Sequence, residues 1–376
     1  MASRGRLGKQ TNIVRVLQGG VASGLALTGP TRTVQTMGTQ AAREGVVERI
    51  EQRDMRVHIN VGPLCNNNCI FCMEEDRDMR AVVNGALTPD KVQSLLVANR
   101  GAEEVCFTSG EPTLVAELPR YARWARQLGY PRVSVMTNGR RLAHMPVLEQ
   151  LLRAGMNFFY VSIHGHEARL HTGLVREPAA FDQTVAGIRN IASVKNRGVQ
   201  LHTSTVINRR NLPYLGEIYA FLRGLGVDQV VFNVMQANGR ANTYFDQLFP
   251  RYTEIAAAFR TFLAAADEPQ PMAFLVDIPL CTTEGIPDFN RGYVESYTHF
   301  EVAGFEDVSP ERLAVTRRAR LTEDERFLAV TREDLDAVER DKRPECATCR
   351  YDRACEGVWR NYLRRNGWDE LVPVQG

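Results

Sequence analysis

Apolar and polar positions along this chain fall into a rhythm that begins at Val57. Val57-His58-Ile59-Asn60-Val61 alternates with period two, which predicts a strand. Thr88-Pro89-Asp90 then opens a helix: Thr88 can cap it, Pro89 suits its first turn, and Val92, Leu95 and Leu96 share a face. The pattern continues with a strand over Val105–Thr108, a helix over Leu114–Leu128 and a strand over Val133–Thr137 that ends at the turn signal Asn138-Gly139. A helix near Met145–Ala154 leads to a strand over Phe158–Ile163, then to a helix near Phe181–Ile191. The strand Leu201–Ile207 follows, and then a helix opened by Asn211-Leu212-Pro213, with Leu215, Ile218, Leu222 and Leu225 on one face. Val230-Val231-Phe232 closes the series.

Six strands separated by helical stretches predict right-handed βαβ units and a parallel sheet. Six units in roughly 180 residues fall short of a closed eight-unit barrel, which takes about 250. The expected fold class is therefore α/β, an open partial (β/α)6 barrel with a smaller C-terminal domain. Reactive groups in such sheets gather beyond the carboxyl ends of the strands. After about residue 250 the rhythm stops. Tyr252–Ala266 reads as a helix, and Phe274–Asp277 as a short strand running into Pro279-Leu280-Cys281. Residues 306–345 carry 21 charged side chains of both signs, the mark of a solvated excursion. Val358–Leu363 reads as a terminal helix stopped by Asn366-Gly367. The division is an N-terminal extension over 1–55, the barrel over 56–250 and the C-terminal domain over 251–376.

Composition narrows the function classes. The 376 residues are 44% hydrophobic and 24% charged, which excludes a disordered, collagenous or coiled-coil chain. A net charge of +2 and the lack of a basic aromatic stripe argue against a nucleic-acid or acidic-membrane surface. No apolar run reaches the about 18 residues of a transmembrane helix. Arg4, Arg6 and Lys9 precede VLQGGVASGLALTG, but its glycines break the continuous apolar stretch a signal peptide needs. A cytoplasmic location is expected, where thiols stay reduced. Eight cysteines there point to metal or catalysis rather than to disulfides.

Seven of the eight fall into patterns. Cys65-x3-Cys69-x2-Cys72 follows the first strand, and Cys346-x2-Cys349-x5-Cys355 lies near the end, with Cys281 as its obvious fourth member. Cys106 sits inside the second strand among apolar neighbours and reads as core. Zinc at the first group would want a fourth Cys or His, and the nearest histidine after it is His144. Three thiolates suit instead a four-iron cluster with one iron open. For the second group, four-cysteine zinc and a closed cluster both remain open.

The first group, with aromatic Phe71 just before its last cysteine, resembles the signature of the radical S-adenosylmethionine (SAM) enzymes, whose fold is a partial (β/α)6 barrel. The resemblance implies that Cys65, Cys69 and Cys72 hold a [4Fe-4S] cluster whose open iron binds SAM. Reductive cleavage of SAM then gives a 5′-deoxyadenosyl radical that abstracts hydrogen from a substrate. It implies a place for Phe71 near the adenine. Ser109-Gly110-Glu111-Pro112 resembles the family's Gly-Gly-Glu-Pro segment at the SAM amino group, with Ser109 in place of the first glycine. Ser162 matches a ribose contact, and Arg176 lies near where some relatives place an arginine on the SAM carboxylate. Cys-x2-Cys-x5-Cys-Glu-Gly-Val-Trp resembles the auxiliary-cluster extensions called SPASM and Twitch, in a short form with cysteines for one [4Fe-4S] cluster.

Two clusters, SAM, a flavodoxin- or ferredoxin-type electron donor and no membrane or nucleic-acid partner are thus expected. The substrate is expected to be a peptide or natural product, with dehydrogenation or rearrangement of a small molecule as the alternative. A non-catalytic iron–sulfur or zinc protein is the reading from another class. Asn138-Gly139 reads as a turn, and His164, His166 and His171 as a polar loop.

Overall fold

The computed structural model describes residues 55–62, 64–73, 88–266, 272–286, 289, 296–302, 320–321, 327–331 and 339–375. The predicted N-terminal extension lies outside them except for Met55, as does most of the charged stretch 306–345.

Seven strands run parallel and in sequence order: β1 (Met55–Asn60), β2 (Glu104–Thr108), β3 (Arg132–Thr137), β4 (Phe158–Ser162), β5 (Gln200–Ile207), β6 (Gln229–Val234) and β7 (Met272–Val276). β7 pairs parallel with β6, so the sheet continues past residue 250. On the other side β1 is flanked by β8 (Ser296–Val302), which is parallel to it. Antiparallel β10 (Phe327–Thr331) and then β9 (Arg320–Leu321) extend that edge. β7 and β9 end the sheet without pairing to each other, which makes it an open, TIM-like α/β barrel.

The period-two pattern sorts side chains onto two faces. Val57 stands opposite Val105, and Val105 opposite Val133; Val135, Phe159 and Leu201 form a second row. These side chains are buried in the main apolar core. The same core takes Val92, Leu95 and Leu96 of α1 (Pro89–Ala98), Leu118 and Ala122 of α2 (Leu118–Gln127), and Leu148 and Leu151 of α3 (Met145–Arg153). Ile188 and Ile191 of α5 (Ala180–Ser193), and Ile218 and Leu222 of α6 (Leu215–Gly224), complete the helical layer. Each such side chain contributes roughly 1.5–3 kcal/mol by leaving water. The opposite face carries a separate small cluster of Cys106, Phe158 and Tyr160 beside Met136, so Cys106 is core as expected.

The structure departs from the pattern in a few places. The helix expected from Leu114 starts at Leu118, because Pro112–Leu114 forms a 3-10 turn whose Thr113 amide is taken by the Glu111 carboxylate. Thr88 precedes α1 but makes no side-chain cap bond. A two-turn helix, α4 (Ala168–Val175), stands where a polar loop was expected; its buried face includes His171, which hid its periodicity. At the C-terminus Val358–Trp359 is a strand, β12, paired with β11 (Arg340–Asp341), and the helix α10 begins only at Arg360 and ends at Asn366. Among the described residues no helix is long and apolar enough to cross a membrane.

Candidate active site

The loop Cys65–Cys72 leaves the carboxyl end of β1, and neighbouring segments fix it through its backbone and its three asparagines. Asn68 and Ile70 donate their amides to Val175 and Leu174 at the end of α4 (2.8 and 3.0 Å). Glu111 donates its amide to Leu64 O at 2.7 Å. Asn138, at the end of β3, donates its side-chain amide to Asn66 Oδ1 at 2.6 Å and reaches to 4.0 Å from Cys65 Sγ. Arg140 is bonded to Asn66 O, to Asn67 Oδ1 (3.0 Å) and to Gln183 (2.7 Å). From beyond β6, Arg240 holds Asn68 through its side-chain oxygen (2.5 Å) and carbonyl (3.3 Å), and its own amide bonds Cys72 O (2.9 Å). The turn Asn138-Gly139 expected from sequence is present, with Gly139 left-handed at φ +74, and Asn138 is also a clamp on the cysteine loop.

Cys65 and Cys72 lie close enough to Cys69 for their charges to disfavour its thiolate. Burial first, then the charges of Cys72 and Cys65, push the Cys69 thiol up to about 12, while the Arg240 guanidinium pulls the other way. Metal ligation needs the thiolate, and a cationic centre among the three would reverse that balance. Among the described residues no three His, Cys, Asp or Glu side chains converge on a point for a single ion. Thiolates that each serve a different iron of a cluster have no need to share one point, so the thiol-only donor set fits a cluster.

Beside the loop, Ser109 and Gly110 both take left-handed backbone conformations (φ +75 and +53). That turn swings the chain across the strand ends and places Glu111 in the interior, 1% exposed. Its Oε1 accepts from Thr113 N (3.1 Å), Thr113 Oγ1 (2.5 Å) and Thr137 Oγ1 (2.6 Å), and its Oε2 from Asn138 N (2.6 Å). Burial raises the Glu111 carboxyl, and these donors act against that shift. The Glu111 side chain therefore braces β2 against β3.

Phe71 is 9% exposed and meets the His164 ring edge-on at 4.7 Å. His164 stacks on His171 at 5.8 Å, and the His164 amide donates to His171 Nδ1 at 3.1 Å. His164 Nδ1 accepts from Val206 N at 3.2 Å. Burial keeps both rings neutral, with His171 lowered to about 4. Ser162 ends β4 half-buried, level with Ser204 of β5, whose hydroxyl accepts from Asn233 of β6. Arg176 is exposed at the end of α4, left-handed (φ +53), with its guanidinium 5.6 Å from the Tyr244 ring.

The second group assembles from two distant stretches. Burial first, then the charges of Cys355, Cys349 and Cys346, push the Cys281 thiol up to about 12, so those three lie near enough for their charges to act on it. Cys281 lies in the 3-10 turn Leu280–Thr283, held by Arg260 bonds to Thr282 O and Glu284 O (3.2 and 2.7 Å). Arg260 belongs to α9 (Tyr252–Ala265). Val374 donates its amide to Cys349 Sγ at 3.3 Å. Beneath the group Arg340, 2% exposed, pairs with Asp277 (2.8 Å) and Glu356 (3.0 Å) and lies 3.8 Å from the Trp359 ring. The rings of Tyr362 in α10 and Tyr252 in α9 lie 4.1 Å apart, tilted by 38°.

Sequence reading missed Arg140, Arg240 and the role of Asn138. Their side chains act on backbone carbonyls and amides, which leaves no spacing pattern; only the run Asn66-Asn67-Asn68 between two cysteines marks a loop that needs many partners.

Residues 59–222 match the Radical SAM superfamily model. The AdoMet-dependent heme synthase of Oleidesulfovibrio alaskensis is 29% identical over 179 residues, which cover 47% of this chain and 44% of that protein. A probable GTP 3′,8-cyclase of Saccharolobus islandicus is 31% identical over 179 residues, covering 46% and 54%. The chain thus spans about half the length of the curated relatives it matches. Among solved structures, Streptococcus suis SuiB bound to S-adenosylmethionine superposes with a TM-score of 0.57 at 15% identity, over 90% of this chain and 80% of that one. SuiB bound to precursor peptide SuiA gives 0.57 over 93% and 83%. At that identity the likeness is one of fold. Through residues 59–222, the chain belongs to the radical SAM superfamily.

Proposed function

We propose that this chain cleaves SAM reductively at a [4Fe-4S] cluster held by Cys65, Cys69 and Cys72, and uses the radical formed to take hydrogen from a peptide or related natural product. The observation that carries the reading is the partition of the cysteines. The charges of Cys355, Cys349 and Cys346 act on Cys281, while those of Cys72 and Cys65 act on Cys69, which supports three thiols at the first group and four at the second. When bound there, the cluster would supply an open iron for SAM and the electron that splits it into methionine and a 5′-deoxyadenosyl radical.

The chain's own residues would do the rest. The strained Ser109-Gly110-Glu111 turn offers backbone to the SAM amino group. Phe71, backed by His164, offers a ring for the adenine, and Ser162 a hydroxyl for the ribose. Arg176 is free to swing from Tyr244 toward the carboxylate, since its side chain is exposed. The second group would hold an auxiliary [4Fe-4S] cluster with every iron ligated by protein, an electron relay or anchor. A flavodoxin- or ferredoxin-type protein would deliver the electrons.

Two things support a peptide. The fold likeness to SuiB, solved with its precursor peptide, runs over nearly the whole chain and includes the C-terminal part. The sheet face away from the helices also carries neutral hydrogen-bonding side chains, Ser204 and Asn233, which suit amide groups. The test is deuterium transfer: a labelled candidate peptide, such as one encoded beside this gene, should place deuterium in 5′-deoxyadenosine. Deuterium arriving only from small-molecule substrates would replace the peptide by the dehydrogenation or rearrangement alternative.

A further inference from the structure

The short helix α7 (Gly239–Thr243) and the residues leading into it touch both cysteine regions. On one side Gly239 is left-handed (φ +54) and packs so tightly that a Cβ there would lie 2.4 Å from Met73 O and 2.7 Å from Cys72 O. Arg240 bonds Cys72 O through its amide and Asn68 through its guanidinium. On the other side Asn361 of α10, 6% exposed, donates its amide to Ala237 O (2.7 Å) and Asn238 Oδ1 (3.1 Å). Arg364 in turn donates to Asn361 Oδ1 at 2.6 Å and orients it. Arg365 of the same helix bonds Asn242 Oδ1 (2.8 Å) and Asn242 O (3.2 Å).

α10 is tied in its turn to the second cysteine group. It continues directly from β12, which pairs with β11. Arg360 bonds Asp341 twice (3.0 and 2.8 Å), and Arg340 of β11 pairs with Glu356, the neighbour of Cys355. A continuous chain of backbone and side-chain polar contacts, with Arg340 and Asn361 buried within it, therefore runs from Cys355 through α10 and α7 to Cys72. Contacts of this kind transmit displacement because neither end has slack to absorb it.

We propose that residues 237–243 form a strut through which the C-terminal helix sets the geometry of the Cys65–Cys72 loop, with Asn361 and Arg365 as positioning residues. The inference builds on the proposed role of that loop, yet its first test needs no cluster. In the full-length chain without metal, Asn361→Leu should speed amide hydrogen exchange in residues 66–73 by about tenfold, the equivalent of one lost buried hydrogen bond. Exchange in β3–β5 should stay unchanged. Arg365→Met alters an exposed side chain that leaves folding intact, and should give a smaller change in the same peptides. After iron loading, Asn361→Leu should keep its iron content and raise the KM for SAM several-fold, with an altered signal from the reduced SAM-bound cluster.

Accelerated exchange confined to 237–243 in both variants, with 66–73 unmoved, would overturn the strut. If Asn361→Leu does not fold, Arg365→Met decides alone. Failure of wild-type protein to bind iron would remove the cluster reading, while the exchange comparison would still decide the strut.

Discussion

Gly239→Ala is the sharpest single-atom perturbation the site offers. The added methyl carbon would stand 2.4 Å from Met73 O and 2.6 Å from Met73 C, against about 3.4 Å for an ordinary contact. Both are backbone atoms, so the Met73 carbonyl must retreat by about 1 Å, with no flexible side chain to yield in its place. An alanine in the left-handed region costs about 1–2 kcal/mol. Loss of the Arg240 N–H bond to Cys72 O adds about 1 kcal/mol. A penalty of ~2–3 kcal/mol lowers by about 30- to 150-fold the affinity for anything that needs the present loop geometry. Iron per chain and SAM binding after anaerobic loading read this out, with the melting temperature of the metal-free protein as a check on the fold. Gly216→Ala is the control, because no atom lies within 4 Å of its Cβ position. A Gly239→Ala protein that loads iron and binds SAM as well as the control does would refute the reasoning.

Three further outcomes follow from particular contacts. Glu111→Gln puts an NH2 among donors and should cost about 2–4 kcal/mol in urea melts, with SAM affinity falling alongside; an unchanged midpoint would show that the four-bond brace carries no stability. His171 titrates at about 4 when folded and at 6.5 when unfolded, so acid protonates the unfolded chain first. Its contribution is whole above pH 6.5 and drains away as pH falls toward 4, a loss of ~3 kcal/mol at most. His171→Asn, which keeps an acceptor for the His164 amide, should flatten stability against pH in that window; an unchanged slope would assign the acid sensitivity elsewhere. Cys281→Ser should lower iron from about eight to about four per chain while 5′-deoxyadenosine still forms. Retention of all eight would exclude Cys281 as a ligand.

Much of the fold was legible because its signals are periodic and local. Each of the six expected strands is present, and the alternation also fixed which face meets the helices. The strand expected near Phe274–Asp277 forms as well, but periodicity carries no information on partners, and only the structure shows it as a seventh parallel strand beside β6. α4 escaped notice because His171 occupies a core position that a hydrophobicity pattern reads as polar. The two cysteine groups stand out by spacing, since candidate ligands on one loop must be near in sequence. Arg140, Arg240 and Asn361 were not, because each reaches across more than 70 residues to a backbone carbonyl that any residue type supplies. The Glu111 brace lies between these cases: the Gly-Glu-Pro segment could be recognised, but the carboxylate's burial against Thr113, Thr137 and Asn138 could not.

SAM cleavage is proposed to depend on Cys65, Cys69 and Cys72. The most direct measurement is 5′-deoxyadenosine formed by iron-loaded protein under anaerobic reduction with SAM, for the wild-type chain beside Cys69→Ala. Product is expected from the wild type and none from the variant, which should retain about four irons at its second group. Fully loaded wild-type protein that yields no 5′-deoxyadenosine, or a Cys69→Ala protein that yields as much, would contradict it.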